Sequence, residues 1–491
     1  MTDTAAKPIT PRGNRWVALA ILLIASFMNL IDVTIVNVAL PAMQEGFDAT
    51  SAAIQWVVAG YIFAFALGLL PFGRLGDRFG RRKFFVFGIA GFTFASALCG
   101  VAPNMEVLIG ARLTQGLFAA MMMPQVMALM QVMYAPHERG MAFGMFGTVV
   151  GLAAVTGPVI GGILVSADLF GLSWRPVFLI NIPIGITGAI LGWKILASTG
   201  GNPAMKVDIA GIALSMLALF LIIFPLIEGR EMGWPLWSFV MLGLSPLGFA
   251  ALLYWTHLRH KAGRSQLLPH ILVSSRGFQV GTILSLVFFS IIPGFFMIMA
   301  LFLQSGFGLS PLASGLTNIP FPIGLMIAST LQGQLGDRWL RQRLVVGIGV
   351  MFVGVILLQM SIAGIGDTIP EHAILVPLLI MGLGSGTSIG VMFQTILTTV
   401  PAEDAGAASG TLQAMQQVGG ALGVAMLGQI FFSILGDAGP GEHAIYVEAA
   451  TASITYQLVA LVVVALLVLA LPRARRNHAA KGAAARAEAA G

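Results

Sequence analysis

The sequence predicts an all-α integral membrane protein of fourteen transmembrane helices, built as two six-helix bundles with a two-helix hairpin inserted between them. Three observations predict it. Only 9% of the 491 residues are charged while 57% are hydrophobic, and the mean hydropathy is +0.91, so the chain cannot supply the polar shell of a soluble core. Fourteen apolar stretches are long enough to cross about 30 Å of hydrocarbon, which takes about 20 helical residues. The phrase Gly73-Arg74-Leu75-Gly76-Asp77-Arg78-Phe79-Gly80-Arg81-Arg82-Lys83 returns as Gly333-Gln334-Leu335-Gly336-Asp337-Arg338-Trp339-Leu340-Arg341-Gln342-Arg343. Each copy sits between two apolar runs, the mark of a duplicated membrane unit.

The spans follow in order. The first, 16–40, begins at Trp16 after a polar tail and holds Asp32. No cleavable signal peptide is expected, since that first apolar run is long enough to span. Span 52–73 ends in the first charged hairpin, 84–102 leaves it, and 106–133 holds Arg112. Span 141–166 is rich in glycine, and 174–197 opens on Trp174-Arg175-Pro176. Spans 208–228 and 235–257 are the two extra ones, followed by the longest basic loop, His257 to Arg276. Spans 276–303 and 310–336 lead to the second charged hairpin, followed by 342–362 and 372–398. Span 403–435 is diluted by Gly, Gln and Ser in its first half, and 448–471 closes the set. Eight helices separate the two hairpins, so six-helix halves require two helices between them. The expected units are an N-tail 1–15, a bundle 16–200, the inserted hairpin and linker 201–275, a second bundle 276–472 and a disordered tail 473–491.

Charge placement tests this count independently. With the N-terminus inside, cytoplasmic segments hold 23 of the 26 Lys and Arg; Arg175 and Arg230 fall outside and Arg112 within a span. One missed helix would scramble this positive-inside pattern downstream. Both termini are therefore expected in the cytoplasm, with the chain in the cell membrane. The same dispersal into short loops argues against nucleic acid, despite a pI of 9.8. The tail 473–491 is expected to touch anionic headgroups at most. The lone Cys99 excludes a disulfide framework and a thiolate metal site. All seven His fall in loops or at helix ends, and no phosphate-binding G-x-x-x-x-G-K-[ST] occurs. An intramembrane enzyme and an ATP-driven pump are thus disfavoured, and no cofactor or metal is expected.

Five phrases carry a resemblance. They are Leu30-Ile31-Asp32-Val33-Thr34-Ile35-Val36-Asn37-Val38-Ala39-Leu40-Pro41; the hairpin 73–83; Arg112-Leu113-Thr114-Gln115-Gly116; Gly147, Gly151, Gly157-Pro158 and Gly161-Gly162; and Trp174 to Pro183. Together, in order and on the right helices, they resemble the fourteen-helix drug:proton antiporters of the major facilitator superfamily. The likeness covers nearly the whole chain. It implies proton-coupled export of hydrophobic compounds by alternating access.

The residues support that implication physically. Asp32 and Arg112 are the ionisable residues placed well inside the hydrocarbon, where a charge costs several kcal/mol and is functional by default. Both are expected in the outer half of the membrane, Asp32 about eight residues before the outer end of its helix, since each residue rises about 1.5 Å. Asp32 then takes up and releases the transported proton, tuned by Arg112; the alternative is a static ion pair pinning two helices. In the hairpin, Gly73 and Gly76 allow close helix approach and Gly80 the tight reversal. Asp77 is expected to accept from a helix N-terminus or pair with a local Arg, with Arg78 and Arg81 completing a gate latch. The second latch, around Asp337 and Arg338, has Leu340 where the first has Gly80. On the fifth helix, Gly147, Gly151, Gly157, Gly161 and Gly162 are expected to form a smooth face, kinked by Pro158. That Gly-Pro pattern resembles exporters rather than importers. Glu403 and Asp404 are read as structural, suiting a helix N-terminus.

The substrate cavity is expected to draw on Asn29, Tyr61, Gln115, Asn181, Gln304, Asn318, Gln394 and Gln413, with Gln55, Gln125 and Gln416 as further candidates. No acid lies within a span between residues 276 and 471 apart from helix ends, so monovalent cationic or neutral substrates are expected. A dedicated exporter of one host metabolite and a proton-coupled nutrient symporter remain alternatives. A monomer suffices, with protons, small hydrophobic molecules and the bilayer as partners.

Overall fold

The computed structural model describes residues 14–198, 200–336, 338–366, 368–436 and 442–471, and their regular structure is helical throughout. The spans are α1 (Arg15–Phe47), α2 (Ser51–Phe79), α3 (Arg81–Gly100), α4 (Met105–Met133), α5 (Pro136–Ser166) and α6 (Pro176–Ile195). They continue as α7 (Ile209–Glu231), α8 (Leu236–Lys261), α9 (Arg276–Leu301), α10 (Pro311–Asn318 and Pro320–Gly333), α11 (Leu340–Ala363), α12 (Glu371–Leu397), α13 (Ala405–Leu435) and α14 (His443–Ala470). Thirteen are continuous enough and apolar enough to span. The tenth is divided at Ile319, because Pro320 and Pro322 withhold two backbone donors just where the helix must carry on. The expected tails 1–15 and 473–491 lie almost wholly outside the described residues.

Helices α1 to α6 pack on one another, as do α9 to α14. The halves meet through α2 and α4 against α13, and through α5 against α10 and α12. Small residues make this meeting possible: a Cβ on Gly410 would lie 2.4 Å from the Leu69 carbonyl oxygen, and one on Gly144 2.7 Å from Gly333. The seam carries side-chain bonds as well. The Gln131 amide donates to the Leu397 carbonyl at 2.6 Å, and the Thr148 and Thr330 hydroxyls lie 3.0 Å apart. These contacts cluster toward the end of the helices that carries both charged hairpins. Farther along, both seam helices turn to their own halves: Gly157 and Gly161 of α5 face α1, and Gly419 and Gly423 of α13 face α9.

The inserted pair packs along this seam, α7 touching both α2 and α13. Aromatic rings seat it: Phe63 of α2 meets Phe220 at 5.7 Å, and Phe224 meets Trp237 at 5.5 Å. Asp208 ties its base. Its carboxylate accepts from Gly211 N–H at 3.0 Å, Leu267 N–H at 3.1 Å and the Trp255 indole at 3.1 Å. The Arg259 guanidinium adds an ion pair at 3.4 Å. Asp208 is thus both the cap of α7 and the clasp between the two linker segments.

Candidate functional site

Asp32 lies near the middle of α1, because the helix continues through Pro41 to Phe47. Pro41 is tolerated there in the context of a long packed helix. Arg112 is in the second turn of α4, and the two side chains meet at 2.5 Å with no solvent exposure. Helices α2, α3 and α6 complete the cage. Asp32 accepts from the Gln115 amide at 2.9 Å and the Asn181 amide at 3.1 Å. Both amides also donate to Ser96 Oγ, at 3.0 and 2.9 Å, and Ser96 passes its own hydrogen to the Phe178 carbonyl. Arg112 donates to Gln115 Oε1 at 2.6 Å and to the Val57 carbonyl at 2.8 Å. Its guanidinium lies 4.2 Å from the Tyr61 ring centroid and 5.7 Å from that of Phe178. The Tyr61 hydroxyl donates to Asn29 Oδ1 at 2.6 Å.

A dry ion pair is weak evidence of stability, because desolvation of both charges offsets their attraction. Removing one partner alone is costly, while adding a proton to the carboxylate needs no rearrangement of the amides around it. The two amides both donate to Asp32 Oδ1 and Arg112 to Oδ2, so the cage fixes the donors on each oxygen.

At the charged end, Asp77 closes α2 onto the opposite half. Its carboxylate accepts from the free N–H groups of Gly406 at 3.0 Å and Ala407 at 2.9 Å, the first turn of α13. Arg81 grips the same carboxylate at 2.7 and 2.9 Å and reaches across to the Ala402 carbonyl at 2.5 Å. Arg74 bonds Asp404 at 2.6 Å and the Gln266 carbonyl at 2.9 Å, so the linker of the inserted pair joins this junction. Arg78 donates to the Asn202 carbonyl at 3.0 Å, on the segment that leads into the inserted pair. Asp404 is therefore more than the helix-start acid it was read as. Gly73 is held by backbone contact, since an added Cβ would lie 2.4 Å from the Gly406 carbonyl oxygen, whereas one on Gly76 would lie 2.2 Å from Gln125 Oε1, a side-chain tip that would have to move aside. Gly80 takes φ +104°, which a side chain would resist.

The second hairpin is built differently. Leu340 cannot take the place of Gly80, so α10 ends at Gly333 and the reversal uses Gly336 at φ +59° and Trp339 at φ +53°. Asp337 lies outside the described residues, and Arg338 is exposed. Arg343, which closes the repeated phrase but is not among the expected latch residues, organises this turn by bonding Gln332 Oε1 at 2.6 Å and the Gly336 carbonyl at 2.9 Å.

The glycines of α5 do not form one face. Gly151 meets Met326 and Pro322 of α10, with an added Cβ 2.7 Å from the former, whereas Gly157 and Gly161 meet Thr34 and Ile35 of α1. An added Cβ on Gly162 would have nothing within 4 Å, so that residue is no part of the packing surface. The helix is continuous through Pro158. These positions separate in experiment. Gly157→Ala places Cβ 1.9 Å from Thr34 Oγ1, and is expected to destabilise the fold by about 1–3 kcal/mol. Gly162→Ala is expected to be neutral or to stabilise by about 0.5–1 kcal/mol. Thermal unfolding in detergent distinguishes them, and adding Thr34→Ala to the first variant, which removes the Oγ1 contact but leaves Thr34 Cβ at 2.8 Å, should restore part of its loss.

The expected cavity residues do not gather in one place. Gln115 and Asn181 belong to the Asp32 cage, and Asn29 and Tyr61 adjoin it. Gln125 donates to the Phe72 carbonyl and Gln394 to the Gly336 carbonyl, both as ties between helices. Gln304 reaches Ser314 at 3.3 Å, and Asn318 bonds one turn back along its own helix. Gln416 is half-buried and Gln55 exposed, while Gln413 is buried with its amide nitrogen unpartnered. Ser96, Phe178 and the Val57 carbonyl were missed. A lone serine in the apolar run of α3 was the available signal for the first; nothing local marks the others.

Two packed helical halves with a buried ion pair in one and a charged junction closing one end define a membrane transporter. The chain belongs to the Major Facilitator Superfamily, which it matches over residues 22–424. Among its relatives, the Probable actinorhodin transporter of Streptomyces coelicolor is 40% identical, with 92% of this chain and 80% of that one covered. The Tetracenomycin C resistance and export protein of Streptomyces glaucescens is 33% identical, covering 88% and 79%. The Multidrug resistance protein Stp of Mycobacterium tuberculosis is 32% identical, covering 82% and 73%. Among solved structures, the human organic anion transporter MFSD10 aligns with a TM-score of 0.64 at 13% identity, over 93% of this chain and all of that one. That likeness bears on the fold alone.

Proposed function

We propose that the protein is a proton-coupled antiporter that exports hydrophobic, monovalent cationic or neutral antibiotics across the cell membrane. The buried Asp32–Arg112 pair carries the reading. A carboxylate held at membrane depth by one cation and two amides changes the net charge of the site, where charge is expensive, whenever its proton occupancy changes. The named relatives support the direction of transport and the substrate class. The junction at Asp77 supports a gate at the charged end, which the positive-inside pattern assigns to the cytoplasm. Contacts at that end, with the seam helices turning away beyond it, fit a state shut toward the cytoplasm. Protonating Asp32 from outside neutralises the carboxylate, weakens its hold on Arg112 and favours rearrangement toward the inward-open state. Proton release inside restores the pair after substrate has bound. The membrane potential contributes about 2.3 kcal/mol per charge per 100 mV.

A narrower second reading, export of one compound, draws on the 40% identical relative, whose name specifies a single cargo. Purified protein in liposomes decides between these. With an imposed proton gradient, tetracenomycin C, puromycin and ethidium are each expected to accumulate against their own gradients. Movement of one alone supports the narrow reading. Movement that ignores the proton gradient overturns antiport.

A further inference from the structure

We infer that Tyr61, bonded to Asn29, is the shutter through which the proton on Asp32 leaves toward the charged end. The inference rests on Asp32 being the proton site, and specifies the route out of it.

The directions of two helices place the shutter. Helix α1 starts at the charged end, so Asn29, three residues before Asp32, lies nearer that end by about 4.5 Å at 1.5 Å per residue. Helix α2 runs toward the charged end, so Tyr61 lies about one turn nearer to it than Val57, whose carbonyl holds Arg112. Tyr61 and Asn29 therefore cap the cage on its charged-end side. The opposite side is filled by a packed apolar cluster including Ile35, Val36, Ile54, Leu108, Trp174 and Val177. Such a cluster offers a proton no polar step while it stays closed.

The remaining polar neighbours lead nowhere useful. Gln115 and Asn181 converge on Ser96, whose hydroxyl ends on the Phe178 carbonyl. Those residues belong to α3, α4 and α6, and both α3 and α6 pack within their own half. Tyr61 is on α2, which meets α13 across the seam and packs far more on α4 and α13 than on α1, the helix of Asn29, so reorientation of the halves moves α2 against α1 in this scheme. Its ring covers the Arg112 guanidinium at 4.2 Å and stacks on Phe65 with centroids 6.0 Å apart. Movement of α2 thus breaks the Tyr61–Asn29 bond and uncovers the ion pair together. Water admitted there takes the proton from the Asp32 carboxylic acid as hydronium, leaving the carboxylate to re-form its bond to Arg112. Tyr61 is a positioning residue in this scheme: it controls access and is not itself consumed.

Proton flux is read in liposomes holding the full chain and a trapped pH-sensitive dye, with no substrate present. Tyr61→Ala is expected to leak protons at least about tenfold faster than wild type, the shift that loss of one buried hydrogen bond produces in an opening equilibrium. Asn29→Ala, which retains the ring, is expected to leak less than Tyr61→Ala and more than wild type. Tyr61→Phe should keep the seal over Arg112 better than alanine does. Adding Asp32→Asn to Tyr61→Ala is expected to abolish the leak. Two results overturn the shutter: both alanine variants as tight as wild type, or a leak that survives Asp32→Asn. If instead Asp32→Asn alone leaves substrate-driven proton exchange intact, the proton site itself is wrong.

Discussion

Asp32→Asn is expected to lower gradient-driven export at least about 100-fold while substrate binding persists, because the amide preserves the cage's shape but takes up no proton. The result is sharpened by stability measurements. Asparagine leaves Arg112 buried without its counter-charge, and breaking such a pair from one side typically costs about 3–5 kcal/mol. Arg112→Gln alone leaves the carboxylate stranded and carries a similar penalty. The double variant Asp32→Asn/Arg112→Gln removes both charges, and is expected to unfold at a higher temperature than either single variant. Export separates the two roles of the pair. If the double variant folds well and still concentrates substrate when a proton gradient is imposed, the pair only pins α1 to α4. If it folds well and is inert, Asp32 couples.

Gly406→Ala is expected to hold the charged end open. The new Cβ would lie 2.4 Å from the Gly73 carbonyl oxygen and 2.5 Å from Asp77 Oδ1, neither of which is a flexible side-chain tip free to move aside. The clash exists only when α2 and α13 are in contact, so the closed state alone is penalised. A penalty of about 1–3 kcal/mol shifts the balance roughly 5- to 150-fold toward separation of the halves. Accessibility measures this directly. Cys99, the single native cysteine, is buried, so a cysteine placed at Ser409, buried on α13 beside the seam glycine Gly410, supplies the reporter. Labelling of Ser409→Cys by a membrane-impermeant maleimide added at the charged end should accelerate at least about fivefold when Gly406→Ala is present. Unchanged labelling would show that this glycine contact does not hold the gate. Export should fall in parallel, since a transporter that cannot close one end cannot complete its cycle.

Much of this architecture was readable without coordinates. Span positions follow from local hydropathy, and the first-hairpin glycines, Asp77 and Asp32 stood out because charge or sharp reversal is rare within a membrane. The donors around Asp32 were harder. Gln115 and Asn181 were marked as cavity polars, yet both turn inward to the carboxylate, a matter of helix rotation that one residue type cannot express. Arg74 and Asp404 are 330 positions apart, so neither announces the other. Gly161 and Gly162 look equivalent in a motif, but one residue of helix is a rotation of about 100°, and only the first meets α1.

By itself the sequence determined the membrane class, the spans, the duplication and the presence of a buried acid and base, because each follows from the free energy of moving short segments out of water. Only the tertiary structure decided how those charges are satisfied, where α10 divides, which glycines carry contacts and which end of the seam is shut. Those outcomes depend on the mutual rotation and depth of helices brought together from distant parts of the chain, where an ångström separates a hydrogen bond from a clash.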